Sequence, residues 1–200
     1  MDFTILKQNL ENRGYVVNCF ENRKLAVDYL KEEIQNKTVG IGGSVTVDEI
    51  GLYEEIKDNN QVYWHWENKS TLSWDETLYK ASLAEIYITS ANGVAKTGEI
   101  INIDGTGNRV AATMFGHKKV YFIIGKNKIE ETYDKALYRA RNIAAPLNAK
   151  RLNKNTPCVK AGKCLDCSSK ERICRGLFVL WEKPKSYECE VILINENLGY

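Results

Sequence analysis

Two short runs, Ile86–Ser90 (IYITS) and Val120–Gly125 (VYFIIG), are almost unbroken apolar stretches of strand length. A strand with one wet face alternates in polarity. One that stays apolar is covered on both faces, as in the middle of a parallel sheet between helical layers. The intervening segments carry the helical period. Over 22–35, Leu25, Ala26, Tyr29, Leu30 and Ile34 form one stripe, and residues 2–13, 73–83 and 128–143 read as further helices, the last ending before Pro146. Tyr15–Phe20, Thr38–Gly42, Val62–Trp66 and Val191–Ile194 read as further strands. Strands alternating with helices define an α/β chain with a mostly parallel sheet.

The chain has 200 residues, 44% of them apolar, enough for one domain spanning 1–200 with a real core. A net charge of +2 argues against a general nucleic-acid binder. No apolar run approaches the roughly 20 residues that cross a bilayer. The start, MDFTILKQNLENRG, has no basic segment followed by an apolar block, so no signal peptide is expected and the cytoplasm is the expected location.

Three polar turns are candidate ligand sites. After the TVGIG strand come Gly42, Gly43 and Ser44, leading into a helix expected to open near Thr46, which has capping-box spacing to Glu49. Free amides there suit an anion, and in open parallel sheets ligands sit at the carboxyl ends of the strands. Equally, this is a strand-to-helix turn that needs glycine. The second candidate is the loop 90–109, with Ser90, Asn92, Thr97, Gly98, Glu99, Asp104, Gly105, Asn108 and Arg109. It reads either as a hairpin with an Asp-Gly turn or as a pocket. In the pocket Arg109 would clamp a carboxylate or phosphate, and Asp104 or Glu99 would orient it or act as a base. The third is Gly125–Lys128. There Asn127 has N-cap spacing to Glu130, and Lys126 and Lys128 either charge a pocket mouth or are solvated. The two histidines, His65 on a predicted strand and His117 in a turn, have no second histidine nearby, which gives little support to a triad or a histidine-rich zinc site.

Cysteines carry the strongest chemical signal. Cys158, Cys164, Cys167 and Cys174 follow C-x5-C-x2-C-x6-C, while Cys19 and Cys189 stand apart and read as small buried hydrophobes. Between Lys150 and Arg175 there are eight Lys or Arg against two Asp or Glu, a surplus that favours thiolates. Four thiolates at irregular spacing suit an iron–sulfur cluster (4Fe–4S) or structural zinc. A metal-free flap is the bland alternative. The segment 148–175 is expected to be irregular and held by its metal.

GGSVTVDEIG, ITSANGVAKTGEIINIDGTGNRVAA, FGHKKVYFIIGKNKI, IAAPLNAKRL and TPC–GKC–DC–RIC, in this order, resemble the lactate-utilisation (LUD) family from about residue 36 to NENLGY. The resemblance implies a three-layer α/β/α sandwich like that of the NagB/RpiA/CoA-transferase class. It also implies a link to the oxidation of lactate to pyruvate beside iron–sulfur partner proteins. Covalent CoA transferases of that fold class use a glutamate in a Ser-Glu-Asn-Gly turn. Here the turn is Ser90-Ala91-Asn92-Gly93, so the nucleophile is missing. Three readings follow: an accessory redox or binding protein for a small anionic metabolite, an enzyme acting on a phosphorylated, CoA-like or folate-like metabolite, or a zinc-stapled binding protein. Homo-oligomerisation is left open by the sequence.

Overall fold

The computed structural model describes residues 1–67 and 71–200. The first half of the chain runs through α1 (Thr4–Asn12), β1 (Val16–Phe20), α2 (Arg23–Glu33), β2 (Thr38–Ile41), α3 (Val45–Glu49), α4 (Leu52–Ile56), β3 (Gln61–Trp64), α5 (Trp74–Ser82) and β4 (Ile86–Thr89). There follow β5 (Gly93–Ala95), β6 (Ile100–Asp104), α6 (Asn108–Ala112), β7 (Lys119–Gly125), β8 (Ile129–Glu130) and α7 (Tyr133–Arg139). The chain ends with α8 (Ala145–Arg151), α9 (Pro157–Ala161), β9 (Gly176–Leu180) and β10 (Glu188–Ile194).

Six strands form one sheet in the order β1-β10-β7-β4-β2-β3, and every pair is parallel. The two apolar runs are β4 and β7, neighbours in the middle of that sheet. Side chains alternate across it. Val120, Phe122 and Ile124 join Leu6 and Leu10 of α1 on one face, whereas Tyr121 and Ile123 join Ala26, Val27 and Leu30 of α2 on the other. Each such buried branched or aromatic side chain contributes roughly 1.5–3 kcal/mol. Helices on both sides make the expected three-layer α/β/α arrangement. Among the described residues no helix is long and apolar enough to cross a membrane.

A second sheet, β8-β5-β6-β9, was not foreseen. It packs Val94, Ile100 and Leu180 against the main sheet and Ala95 and Ile101 against Ala136 and Ala140. Strands of two and three residues, such as β8 and β5, show no period in a sequence. Residues 148–175 are likewise not wholly irregular, since α8 runs to Arg151 and α9 follows. Helix α7 does not stop before Pro146. A π-turn over Ala140–Ala144 carries it into α8, where Pro146 occupies the first turn and its missing N–H costs nothing.

Helix starts also differ from expectation in two places. Ser44, not Thr46, caps α3 by accepting from Val47 N at 3.3 Å, while Thr46 is buried and donates to Leu198 O. Asn127 caps no helix; it clips the C-terminal tail through Leu198 N at 2.9 Å and Gly199 O at 3.1 Å. Thr132 caps α7 instead. Cys19 is exposed on the edge strand β1, contrary to the expectation of burial, and Cys189 is buried. His65 falls in the turn after β3. His117 is buried, with Nδ1 2.6 Å from Ala84 O and its ring stacked on Tyr87 at 4.9 Å, which suits a packing role.

Helix α5 opens with a full capping box between Ser73 and Glu76. Ser73→Ala is expected to cost about 1 kcal/mol of stability. A thermal melt should show a lower Tm with ligand affinity unchanged.

Candidate functional site

Five of the six parallel strands deliver residues to one cleft of about 570 Å³. Gly43 and Ser44 follow β2, His65 and Trp66 follow β3, and Ser90, Ala91 and Asn92 follow β4. Lys128 follows β7, and Tyr200 ends the tail after β10. This is the carboxyl edge of the sheet, where parallel strands leave a crevice. The opposite side is Ile103–Thr106, Asn108 and Arg109, with Ala144, Ala145, Asn148 and Arg151 from the end of the α7–α8 helix. Lys170–Ile173 and Arg175 of the cysteine segment complete the rim. Strand β9 brings them there, since it pairs antiparallel to β6 from Gly176 opposite Asp104 to Leu180 opposite Ile100.

Arg109 is held from behind. Its Nη2 donates to Ile103 O at 2.7 Å and to Asn92 Oδ1 at 3.4 Å, and its Nε lies 3.6 Å from Asp104 Oδ2. Asp104 accepts from Gly107 N and Val110 N at 3.2 Å each, which ties the turn before α6 to its first residues. Both carboxylate oxygens are therefore engaged by amides, and Asp104 positions Arg109 rather than standing free as a base. Gly42 lies behind the lining, where a Cβ would fall 3.2 Å from Arg109 Cγ and 2.9 Å from Tyr87 Oη. At Gly105 a Cβ would fall 2.5 Å from Ile173 O, so glycine lets the cleft loop and the cysteine segment touch.

Lys128, one of two lysines expected at a pocket mouth or in solvent, is instead a floor residue with 3% exposure. Its Nζ donates to Ser90 Oγ at 2.9 Å and to Ala91 O at 3.1 Å. Burial first, then the Arg139 and Arg109 charges, push the amine's pKa far down, with only Glu49 opposing. Arg139 is buried beneath the floor and donates to Asn127 O and Asn92 O, both at 2.7 Å. On the far wall Arg151 lies over the Trp66 ring at 4.8 Å and donates to Tyr200 Oη at 2.9 Å. Burial, and secondarily the Arg151 charge, lowers the pKa of His65.

Of the residues singled out by sequence, Gly43, Ser44, Ser90, Asn92, Asp104, Gly105, Asn108 and Arg109 line this cleft. Gly42 and Thr46 sit behind it. Thr97, Gly98 and Glu99 do not reach it, which corrects the expectation for all three. They form the turn of the β5–β6 hairpin, where Arg13 of the α1 end pairs with Glu99 at 2.8 Å and donates to Thr97 O at 2.8 Å. Glu99 is thus no base for this site. The sequence pattern missed His65, Trp66, Arg151, Arg172 and Tyr200. The trace it left was a basic surplus in 150–175 and aromatic residues just past a strand end.

Cys158, Cys164, Cys167 and Cys174 line one small second hollow of about 20 Å³, and all are free thiols. Ala145, Arg172 and Ile173 line both hollows, so the two share a wall. Cys164 Sγ accepts from Asp166 N at 3.4 Å, and Thr156 Oγ1 lies 3.2 Å from Cys158 Sγ. Arg172 donates to Cys167 O at 2.7 Å and to Cys174 O at 2.8 Å, bracing the turns. Among the described residues no group of three or more His, Cys, Asp or Glu is disposed to hold an ion as the side chains stand.

The LUD domain family model matches residues 4–194. A solved structure, that of a DUF162 family protein from Deinococcus radiodurans, aligns over 97% of this chain and 99% of its own, with a TM-score of 0.51 at 13% identity. At that identity the likeness is one of fold. No curated protein matches the chain. With residues 4–194 matched by the family model, the chain belongs to the LUD domain family, which is involved in lactate utilisation.

Proposed function

We propose that the cleft binds a small 2-hydroxy or 2-oxo acid, that the four cysteines carry an iron–sulfur centre beside it, and that the protein serves lactate or related 2-hydroxy-acid utilisation as an accessory redox or binding protein. One observation carries the anion part. Arg109, Arg151, Lys154, Lys170, Arg172 and Arg175 line the cleft against Asp104 and Glu171, six cationic side chains to two acids. A low-dielectric pocket with surplus positive charge focuses anions. A carboxylate would lie between the Arg109 fork and the Lys128 amine, with Ser90 and Asn92 beside it.

For the metal part, the donor set fits. Four thiols line one hollow whose other walls include Ala145, Pro146, Ala149 and Leu165; the Asp166 N–H donates to the Cys164 sulfur, and the Thr156 hydroxyl lies beside that of Cys158. Cys158, Cys164, Cys167 and Cys174 would hold the centre, which when bound supplies electron transfer next to the anion cleft. The hollow is small, so a cluster enters only as the turns bearing Cys164 and Cys167 give way, whereas zinc needs less movement. Work beside iron–sulfur partner proteins, and self-association, belong to this reading as expectations.

A second reading has its own observation. The cleft is far larger than a three-carbon acid and falls in the range of roughly 300–1,000 Å³ typical of larger ligands. Trp66, Trp74, His65 and Tyr200 line it. A phosphorylated, CoA-like or folate-like metabolite would use that space.

A thermal-shift series on anaerobically purified protein, with parallel iron, sulfide and zinc analysis, tests both readings. Lactate or pyruvate at a hundred times its Kd is expected to add about 2.7 kcal/mol, a rise of several degrees. A response to CoA or phosphorylated ligands with none to the acids favours the second reading. Protein without bound metal removes the cysteine centre.

A further inference from the structure

Lys128 has no role in merely holding an anion that a solvated lysine would not fill better. It is buried, it lines the cleft, and its Nζ rests between the Ser90 hydroxyl and the Ala91 carbonyl. None of the ion pairs among the described residues includes it. The tail packs over it, for a Cβ on Gly199 would fall 3.4 Å from Nζ. An uncompensated ammonium in such a place is costly, and a neutral amine is the form it favours. The structure thus sets a desolvated lysine nitrogen, its ammonium form disfavoured, on the floor of a cationic cleft, beside the guanidinium that would hold a carboxylate.

We propose that Lys128 forms a Schiff base with the carbonyl carbon of a 2-oxo acid whose carboxylate is held at Arg109. The inference rests on the anion-site reading above and deepens it to a substrate class and a reacting atom. The Nζ lone pair attacks the carbonyl carbon and a carbinolamine forms as the C–N bond is made. The carbinolamine C–O bond then breaks and its oxygen leaves as water. One proton is taken up overall and the iminium nitrogen carries the positive charge. The water takes one proton from the amine itself, which Ser90 Oγ, 2.9 Å from Nζ, is placed to pass to the departing oxygen, and the one taken up from solvent. A 2-hydroxy acid has no electrophilic carbon, so the lysine separates the oxidised from the reduced form of one acid. No oxidant is needed for the step.

Borohydride trapping of the full chain with pyruvate at neutral pH, read by intact mass and peptide mapping, tests this. Each molecule should gain a single reduced pyruvyl group, on the peptide bearing Lys128. Exposed lysines, protonated more than a thousandfold over neutral amine at pH 7, should be labelled at least a hundredfold less. Lactate should give no adduct. Lys128→Met should lose the adduct while melting at or above the wild-type temperature, because an apolar isostere of a buried cation is commonly neutral or stabilising. Lys128→Arg should lose it as well, although the positive charge is kept. If pyruvate raises the Tm but no adduct forms, or if label spreads over surface lysines, Lys128 is not the nucleophile and the anion site survives. If no acid shifts the Tm and no adduct forms, both ideas fall.

Discussion

Replacing Cys164 and Cys167 together by serine is expected to abolish metal binding and to loosen residues 150–175 while the sheet melts as before. Two of four thiolates are lost, and with them the one pair able to chelate from a single turn. The metal part of the free energy is large. Structural sites of this kind bind with about 10–16 kcal/mol, so losing half the ligands removes many orders of magnitude of affinity. The loss should stay local for a reason visible in the burial pattern. None of the four cysteines is buried, and α9 has no buried residue, so the segment contributes little to the core. Its attachments are specific: Arg175 N on Asp104 O at 2.9 Å, Asn155 N on Glu171 Oε2 at 2.6 Å, and the Arg172 bridges. Hydrogen exchange should therefore rise in 150–175 and stay slow in β7 and β10. Metal analysis gives the direct readout, and Cys19→Ser on the exposed edge strand is the control that should keep full metal. A double variant that retains its metal would remove these cysteines as ligands.

How much of this was legible in the sequence depends on range. Strands β4 and β7 announced themselves because burial on both faces removes alternation, and α2 because its stripe is long enough to show a period. Grouping tied to local spacing was legible too: the four cysteines share one hollow, and Gly43, Ser44 and Arg109 line one cleft. What escaped was set by contacts across long separations. Glu99 looked like a base until Arg13, 86 positions away, turned up beside it. Lys128 looked like a solvated lysine at a turn, yet Ser90, 38 positions back, and a tail 71 positions on enclose it. Asn127 has the spacing of a cap and is spent on Leu198 and Gly199 instead. A π-turn that readmits Pro146 to a helix leaves no mark in composition or period. The cleft's charge shows the same split. Its rim was visible as a basic run in 150–175, while its floor is assembled from three strand ends.

Arg109→Ala is expected to weaken binding of a 2-hydroxy or 2-oxo acid about a hundredfold, close to 2.7 kcal/mol, the scale of a buried charge-assisted hydrogen bond lost from a partner that stays desolvated. Its consequence reaches past the missing guanidinium. Ile103 O and Asn92 Oδ1 lose a donor, and Asp104 keeps its amide bonds but loses its nearest cation. An acid entering the cleft would then face Asp104 without the neighbour that screens it. For that reason Arg109→Lys should recover only part of the affinity: it restores the charge without the planar fork that spans Asn92, Ile103 and a ligand. Titration calorimetry separates these effects. A hundredfold loss in the alanine variant and an intermediate value in the lysine variant would place the carboxylate at this guanidinium. Equal affinity in all three proteins would move the anion to Arg151 and the rim. The same measurement under rising salt tests the location again, because a contact at the buried floor is screened far less than one at the exposed Lys170.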